Sequence, residues 1–129
     1  MSLAATQVEF SSCVGQLLRF IDTATVESNP AVSFGVSLGD AYRDPRLHGA
    51  FGESQGGSYS SRRSCHKLRL AIDLNLFMME DGAMTFCRKS SDHLVFGTYW
   101  KTLHPLARWG GDFRRPDGNH YSFTQWGVS

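Results

Sequence analysis

The sequence predicts an α+β fold, with an antiparallel sheet and helices packed on one side of it. Two segments, one near the N-terminus and one after residue 91, place apolar residues at helical spacing. In the middle of the chain, apolar and polar residues alternate as they do in half-buried strands. The resulting order of helix, strands, helix and strands is typical of α+β proteins.

The first predicted element is an N-terminal helix. Thr6 and Glu9 form a capping-box pattern at its start. The apolar residues that follow fall on one helical face, namely Phe10, Val14, Leu17, Leu18 and Ile21. The helix is expected to end near residues 28–30, because Pro30 disfavours helical backbone just before it.

The clearest predicted strand covers residues 68–76. Its apolar residues share one face, whereas Arg69, Ala71, Asp73 and Asn75 share the other. One face is therefore expected to enter the core, and the other presents a carboxylate beside a small residue.

Weaker patterns predict the remaining elements. A strand is expected over residues 32–38, and the turn at residues 80–82 should lead into a short strand at 84–87. A second helix is expected from about Ser91, and one more short strand near Tyr121.

Length and composition indicate one domain that spans residues 1–129, with a mass of 14.4 kDa. Residues 49–64 are rich in Gly and Ser, and we expect them to form a mobile surface loop. His48, His93 and His104 match no motif and are interpreted as structural or surface residues.

Charge and hydropathy argue against several classes of partner. Thirteen Lys and Arg against twelve Asp and Glu give a net charge of +1, so no nucleic-acid partner is expected. The apolar runs are too short for membrane insertion. No signal-peptide pattern begins the sequence, and three scattered cysteines are typical of reduced thiols, so we expect a protein made in the cytoplasm. We also expect it to be a monomer.

Histidine and aspartate residues in two segments indicate a metal site. His66 precedes the clearest strand, Asp73 lies on its polar face, and Asp117 and His120 stand three residues apart on a turn. Two histidines and one carboxylate suit a catalytic Zn²⁺, which lowers the pKa of bound water to about 7. A further carboxylate such as Asp117 can then accept the proton of that water.

Each of these residues also has an ordinary structural interpretation. A single His66 is more often a loop histidine than a ligand, and Asp73 can cap a turn or pair with Arg69. Asp117 is typical of an Asp-Gly turn, in which the side chain serves its own backbone. Spacing alone leaves both interpretations open.

Two motifs carry a resemblance to a known family. Residues 64–73 resemble the pattern S-x-H-x-x-G-x-A-x-D, with Arg69 in place of the glycine, and Asp117 to His120 matches D/E-x-x-H. Together the motifs resemble those of the D-Ala-D-Ala carboxypeptidase family of zinc peptidases, which is grouped with lysostaphin and the hedgehog signalling domain. The segments LAIDLNLF, WGGDF and NHYSF look closest to single-domain lysis enzymes of tailed phages.

The resemblance implies a role for each residue. His66, Asp73 and His120 would bind Zn²⁺ in a surface cleft, and Asp117 would act as general base and then general acid. Arg43 would hold the oxyanion or a substrate carboxylate; the alternative is an ion pair with Asp40 or Asp44. Substrate contacts are expected from Ser64, Arg69 and Trp109, although Ser64 equally suits a turn and Trp109 the core.

The function implied is hydrolysis of the stem peptide of bacterial peptidoglycan. We expect a phage or prophage endolysin that cleaves between L-alanine and D-glutamate, accumulates in the host cytoplasm and acts on the cell wall after release. Removal of the terminal D-alanine by a D-Ala-D-Ala carboxypeptidase is the alternative within this class. Two further alternatives are a non-catalytic zinc-containing binding module and a phage-particle component whose metal only supports folding.

Overall fold

The computed structural model describes residues 1–26 and 29–129, and a six-stranded antiparallel sheet forms its framework. The strands are β1 (Thr25–Val26), β2 (Asn29–Leu38), β3 (Ala71–Glu80), β4 (Ala83–Phe86), β5 (Ala107–Trp109) and β6 (His120–Phe123). They are ordered β1-β2-β3-β6-β5, and β4 also pairs with β3. The helices are α1 (Leu3–Thr23), α2 (Pro45–His48) and α3 (Leu94–Leu103). The predicted α+β class is confirmed.

Helix α1 begins earlier and ends earlier than its sequence pattern predicts. The Ser2 side chain accepts a hydrogen bond from the Ala5 N–H at 3.1 Å, so Ser2 caps the helix and Thr6 lies buried inside it. The helix ends at Thr23, ahead of the predicted end at residues 28–30, of which Ser28 lies outside the described residues.

The core lies between helices α1 and α3 and one face of the sheet. Phe10 of α1 packs edge-on against Trp100 of α3, with ring centroids 5.7 Å apart, and also contacts Phe123 of β6. The sheet contributes the alternate residues that point towards the helices, including Ile72, Leu74, Leu76, Tyr121 and Phe123. The opposite sheet face carries Asp73 and His120 at one end and the apolar Phe77 farther along β3.

Strand β3 starts three residues later than predicted. Residues Cys65–Leu68 form a 3₁₀ turn, and Arg69 follows it in the left-handed region, with φ 55° and ψ 36°. The predicted assignment of Leu68 and Arg69 to strand faces is therefore wrong. From Ala71 onward the alternation holds, with Ile72 and Leu74 in the core and Asp73 on the other face.

Three of the labelled elements have no counterpart in the sequence prediction. Strand β1 lies within the span predicted for the first helix, helix α2 lies just before the Gly- and Ser-rich loop, and strand β5 contributes three residues to the sheet edge. None of them is long enough to show a hydrophobic period. Among the described residues, no helix has the length and apolar character needed to cross a membrane.

Candidate metal centre

Two of the three predicted metal ligands are brought together by strand pairing. Asp73 of β3 stands directly opposite His120 of β6, and the next core-facing pair is Ile72 with Tyr121. Because side chains alternate across a sheet, Asp73 and His120 lie on the face away from the helices. The end of β2 supports Asp73, since the Gly39 N–H donates to the Asp73 carbonyl at 2.8 Å.

The third residue, His66, comes from the 3₁₀ turn that precedes β3. Ser64 caps this turn by accepting the backbone N–H of His66 at 3.2 Å. The Leu70 N–H closes the turn by donating to the Cys65 carbonyl at 3.0 Å. The left-handed conformation of Arg69 then redirects the chain into β3. This is the position at which the family motif has glycine, the residue that adopts positive φ without strain.

Two distances within the cluster match those between the ligands of a tetrahedral metal ion. His66 Nε2 lies 3.3 Å from Asp73 Oδ1, and His120 Nδ1 lies 3.4 Å from the same oxygen. One potential ligand atom from each residue lies within 4.8 Å of the others. Tetrahedral Zn²⁺ with bonds of about 2.0–2.1 Å requires ligand atoms about 3.3–3.4 Å apart. The three side chains therefore fit a zinc ion.

Burial and missing hydrogen bonds point in the same direction. His66 is 2% exposed and His120 7% exposed, yet neither His66 Nε2 nor Asp73 Oδ1 has a hydrogen-bond partner among the described residues. Buried polar atoms without partners are costly, and a shared cation would satisfy both. Burial raises the pKa of the Asp73 carboxyl, but the adjacent His120 and His66 lower it by more, so the net pKa lies below its ordinary value. The carboxylate form suits a ligand role.

A tight turn holds Asp117 beside the last histidine. The His120 N–H donates to the Asp117 carbonyl at 3.0 Å, and the Asp117 N–H donates to the Gly110 carbonyl at 2.9 Å. A Cβ on Gly110 would lie 2.8 Å from the Cβ of His120, so only glycine allows this close approach. Asp117 itself is exposed, and its role as general base stays a prediction.

Arg43 lies against the turn that carries His66. Its backbone N–H donates to the His66 carbonyl at 3.2 Å, and its guanidinium donates to Ser64 Oγ at 3.3 Å. The guanidinium also pairs with Asp40 at 3.2 Å, which is one of the two ion pairs considered as its alternative role. Asp44 pairs instead with Arg46. Arg43 thus lies close to the centre, and its catalytic role stays a prediction.

Of the three residues predicted to contact substrate, only Ser64 lies next to the metal centre. Ser64 is 7% exposed and caps the His66 turn, which is the turn role considered for it. Arg69 stacks on Tyr42, 4.0 Å from its ring centroid, and lines a cavity with Ile72 and helix α1. Ile72 and Asp73 point to opposite faces, so Arg69 lies on the far side of the sheet from Asp73.

Trp109 also lies on the helix side. It pairs across strands with Tyr121, is 4% exposed, and donates its indole N–H to the Gly118 carbonyl at 2.7 Å. The structure thus places Trp109 away from the cluster, and its predicted substrate contact stays untested. Its side chain instead holds the loop between Asp117 and His120 from the helix side of the sheet.

Sequence reasoning missed the residues that hold Arg43. Tyr59 donates its hydroxyl to Asp40, which lowers the pKa of the Asp40 carboxyl, and the Arg43 guanidinium lies 5.0 Å from the Tyr59 ring centroid. Tyr59 belongs to the segment predicted to be a mobile loop, and no motif marks it. The Lys67 ammonium also holds this loop, because it donates a hydrogen bond to the Glu53 carbonyl at 2.8 Å.

Among the described residues, Cys65 and the remaining histidines do not belong to this cluster. Cys65 is buried, and burial raises the pKa of its thiol to about 11, so it stays protonated near neutral pH. Each remaining histidine has a structural partner, as predicted: His48 contacts Ser58, His93 contacts Tyr121 and His104 contacts Glu9.

A buried His-Asp-His cluster, with an exposed aspartate three residues before its last histidine, defines a candidate catalytic metal centre. The family model described as D-alanyl-D-alanine carboxypeptidase matches residues 58–123, just over half of the 129-residue chain. The match includes His66, Asp73, Asp117 and His120. The chain therefore belongs to this family of zinc peptidases, which act on peptidoglycan peptides. No curated protein matches the chain.

Proposed function

We propose that this protein is a zinc-dependent endopeptidase that cleaves the peptidoglycan stem peptide between L-alanine and D-glutamate. The observation that supports zinc-dependent hydrolysis is the cluster of His66, Asp73 and His120, with Asp117 held by a turn next to the last candidate ligand. A bound Zn²⁺ would supply Lewis-acid polarisation of the scissile carbonyl and of the attacking water.

The side chains of this chain would do the remaining work. Asp117 would take a proton from the attacking water and return it to the leaving amine, a role that suits an exposed carboxylate held by its own backbone hydrogen bonds. Arg43 would offset the negative charge that develops on the carbonyl oxygen. Asp40, Tyr59 and Ser64 hold its guanidinium at the His66 turn.

The endopeptidase assignment and the phage origin rest on the resemblance of the sequence around both motifs to single-domain phage lysis enzymes. We propose on the same basis that the protein is made in the host cytoplasm and reaches the cell wall after release. The second candidate is a D-Ala-D-Ala carboxypeptidase, which the description of the matching family model favours.

Digestion of purified peptidoglycan tests both candidates in one experiment. The protein is loaded with zinc or treated with a chelator, and the released ends are identified by mass spectrometry. New N-terminal D-glutamyl ends that disappear with chelator and return with zinc would support the endopeptidase. Loss of terminal D-alanine would assign the carboxypeptidase instead. Folded, zinc-loaded protein that yields no product would refute both and favour a non-catalytic binding module.

A further inference from the structure

A polar notch interrupts the sheet edge next to the metal centre. On one edge of β3, residues 71–73 pair with β6 and residues 77–80 pair with β4. Between these pairings, the Leu74 N–H donates to the Asn119 carbonyl, and the Cys87 N–H donates to the Leu76 carbonyl. A cavity of about 250 Å³ opens in this interval between the end of β4 and the loop that carries Asp117.

The notch adjoins the proposed reaction site. Asn75 lines it and lies two residues along β3 from Asp73 on the same face, a spacing of about 6.6 Å. Asp117 and Asn119 line it from the other side, and Asn119 immediately precedes His120. A peptide bound at the metal centre would therefore place the residue next to its scissile bond beside this notch.

The lining carries an excess of positive charge. Arg88 and Lys89 are both exposed and line the cavity, and Asp117 is the carboxylate opposite them. Within residues 1–26 and 29–129, neither Arg88 nor Lys89 forms an ion pair. Their charges are thus free to pair with a ligand anion.

A buried histidine adds an oriented donor to the same lining. His93 is 4% exposed, and its Nδ1 lies 2.9 Å from the hydroxyl of Tyr121, which is fully buried. Among the described residues the Tyr121 hydroxyl has no other hydrogen-bond partner, so its proton is best placed when it donates to Nδ1. The neutral imidazole then carries its own proton on Nε2, the ring nitrogen left for a ligand.

We propose that this notch binds a free carboxylate of the peptide, on the residue next to the scissile bond. Arg88 and Lys89 supply the charge, and the His93 N–H supplies a directed hydrogen bond. This proposal rests on the proposed function and adds to it a preference for substrates whose D-glutamyl residue carries a free α-carboxylate. An amidated residue at that position would meet the same cations without offering a charge.

Two matched substrates and one pair of variants test the notch. The substrates are stem peptides that contain either D-glutamate or D-isoglutamine, which differ in one carboxylate-to-amide exchange. Zinc-loaded wild-type protein is expected to favour the D-glutamyl peptide by about tenfold in kcat/KM, with most of the difference in KM. Arg88→Gln should bring the two substrates close to equality. Arg19→Gln removes one exposed charge from helix α1 and should keep the preference.

A wild-type protein that cleaves both peptides equally, or an Arg88→Gln variant that keeps the full preference, would overturn the notch proposal while leaving the proposed function intact. If neither peptide is cleaved, each is titrated into ¹⁵N-labelled zinc-loaded protein, and the changes in NMR chemical shift separate binding at the notch from catalysis. Shifts at Arg88, Lys89 and His93 with the D-glutamyl peptide alone would support the notch without catalysis. Equal shifts with both peptides, or none, would reject it.

Discussion

Two glycines in helices provide a stringent test of how Trp109 supports the centre. A Cβ on Gly97 of α3 would lie 2.5 Å and 2.6 Å from two atoms of the Trp109 indole, and closer still to a third. Carbon atoms pack favourably at about 3.5–4.0 Å, so Gly97→Ala creates an overlap of about 1 Å. Gly15 of α1, in contrast, has no atom within 4 Å of such a Cβ.

The magnitudes follow from these contacts. Alanine gains about 1 kcal/mol over glycine inside a helix, and overpacking a core typically costs about 1–3 kcal/mol. Trp109 is 4% exposed and held by its bond to the Gly118 carbonyl, so it has little freedom to move, and the upper end of the cost applies. We expect Gly97→Ala to lower the free energy of unfolding by about 2 kcal/mol, and Gly15→Ala to raise it by about 1 kcal/mol.

Urea unfolding of both variants measures the difference. With a slope of about 2 kcal/mol per molar urea, the midpoint of Gly97→Ala should fall by about 1 M, and that of Gly15→Ala should rise. If Gly97→Ala is as stable as the wild type, or if the urea midpoints of both variants shift in the same direction, the predicted overlap with Trp109 is refuted.

Three further perturbations follow from the structure. Arg69→Gly should keep its fold and peptidase activity, because glycine adopts the left-handed conformation freely and the Arg69 side chain lies across the sheet from Asp73. Arg69→Val should lower the free energy of unfolding in urea by about 1–2 kcal/mol, because a β-branched residue is strained in that conformation. Equal stability of the two variants would contradict the argument from backbone conformation. Because burial raises the pKa of Cys65 to about 11, the folded protein keeps this proton while the unfolded chain loses it above about pH 8.5, so stability should fall from that pH towards pH 11. Cys65→Ala should show a shallower decline between about pH 8.5 and pH 10, and an unchanged slope would exclude the thiol as its source. Chelator should lower the thermal midpoint of the zinc-loaded wild type by several degrees and leave that of Asp73→Asn unchanged, whereas equal shifts in both would place the metal elsewhere.

Both the fold class and the candidate ligands can be predicted from the sequence, for two different reasons. Alternation along residues 71–76 reflects a strand buried on one face, and this pattern places Ile72 and Asp73 on opposite sides without any tertiary information. The candidate ligands are recognisable because the residues around them resemble two motifs of a known family, whereas their spacing alone also fits ordinary structural roles. Their close approach depends on the pairing of Asp73 with His120, which spacing alone does not specify.

The errors concern short elements and strand register. The 3₁₀ turn at Cys65–Leu68 spans four residues and has no period of its own, so the alternating pattern extends the following strand over its leucine. The positive φ of Arg69 could not be predicted, because arginine, unlike glycine, does not indicate a left-handed backbone conformation. The side on which Trp109 lies depends on the pairing of β5 with Tyr121, a contact between residues twelve positions apart that the local pattern does not reveal.

We propose that His66, Asp73 and His120 bind zinc while Asp117 transfers the proton. The substitution Asp117→Asn separates these two roles, because it replaces a carboxylate with an uncharged amide of nearly the same shape. Zinc content and peptidoglycan hydrolysis are measured on the same samples of wild type, Asp117→Asn and Asp112→Asn, the last of which removes an exposed carboxylate of the same loop region.

We expect full zinc content in all three proteins, with hydrolysis lost in Asp117→Asn and kept in Asp112→Asn. Full hydrolysis by Asp117→Asn would refute the proton-transfer role of Asp117.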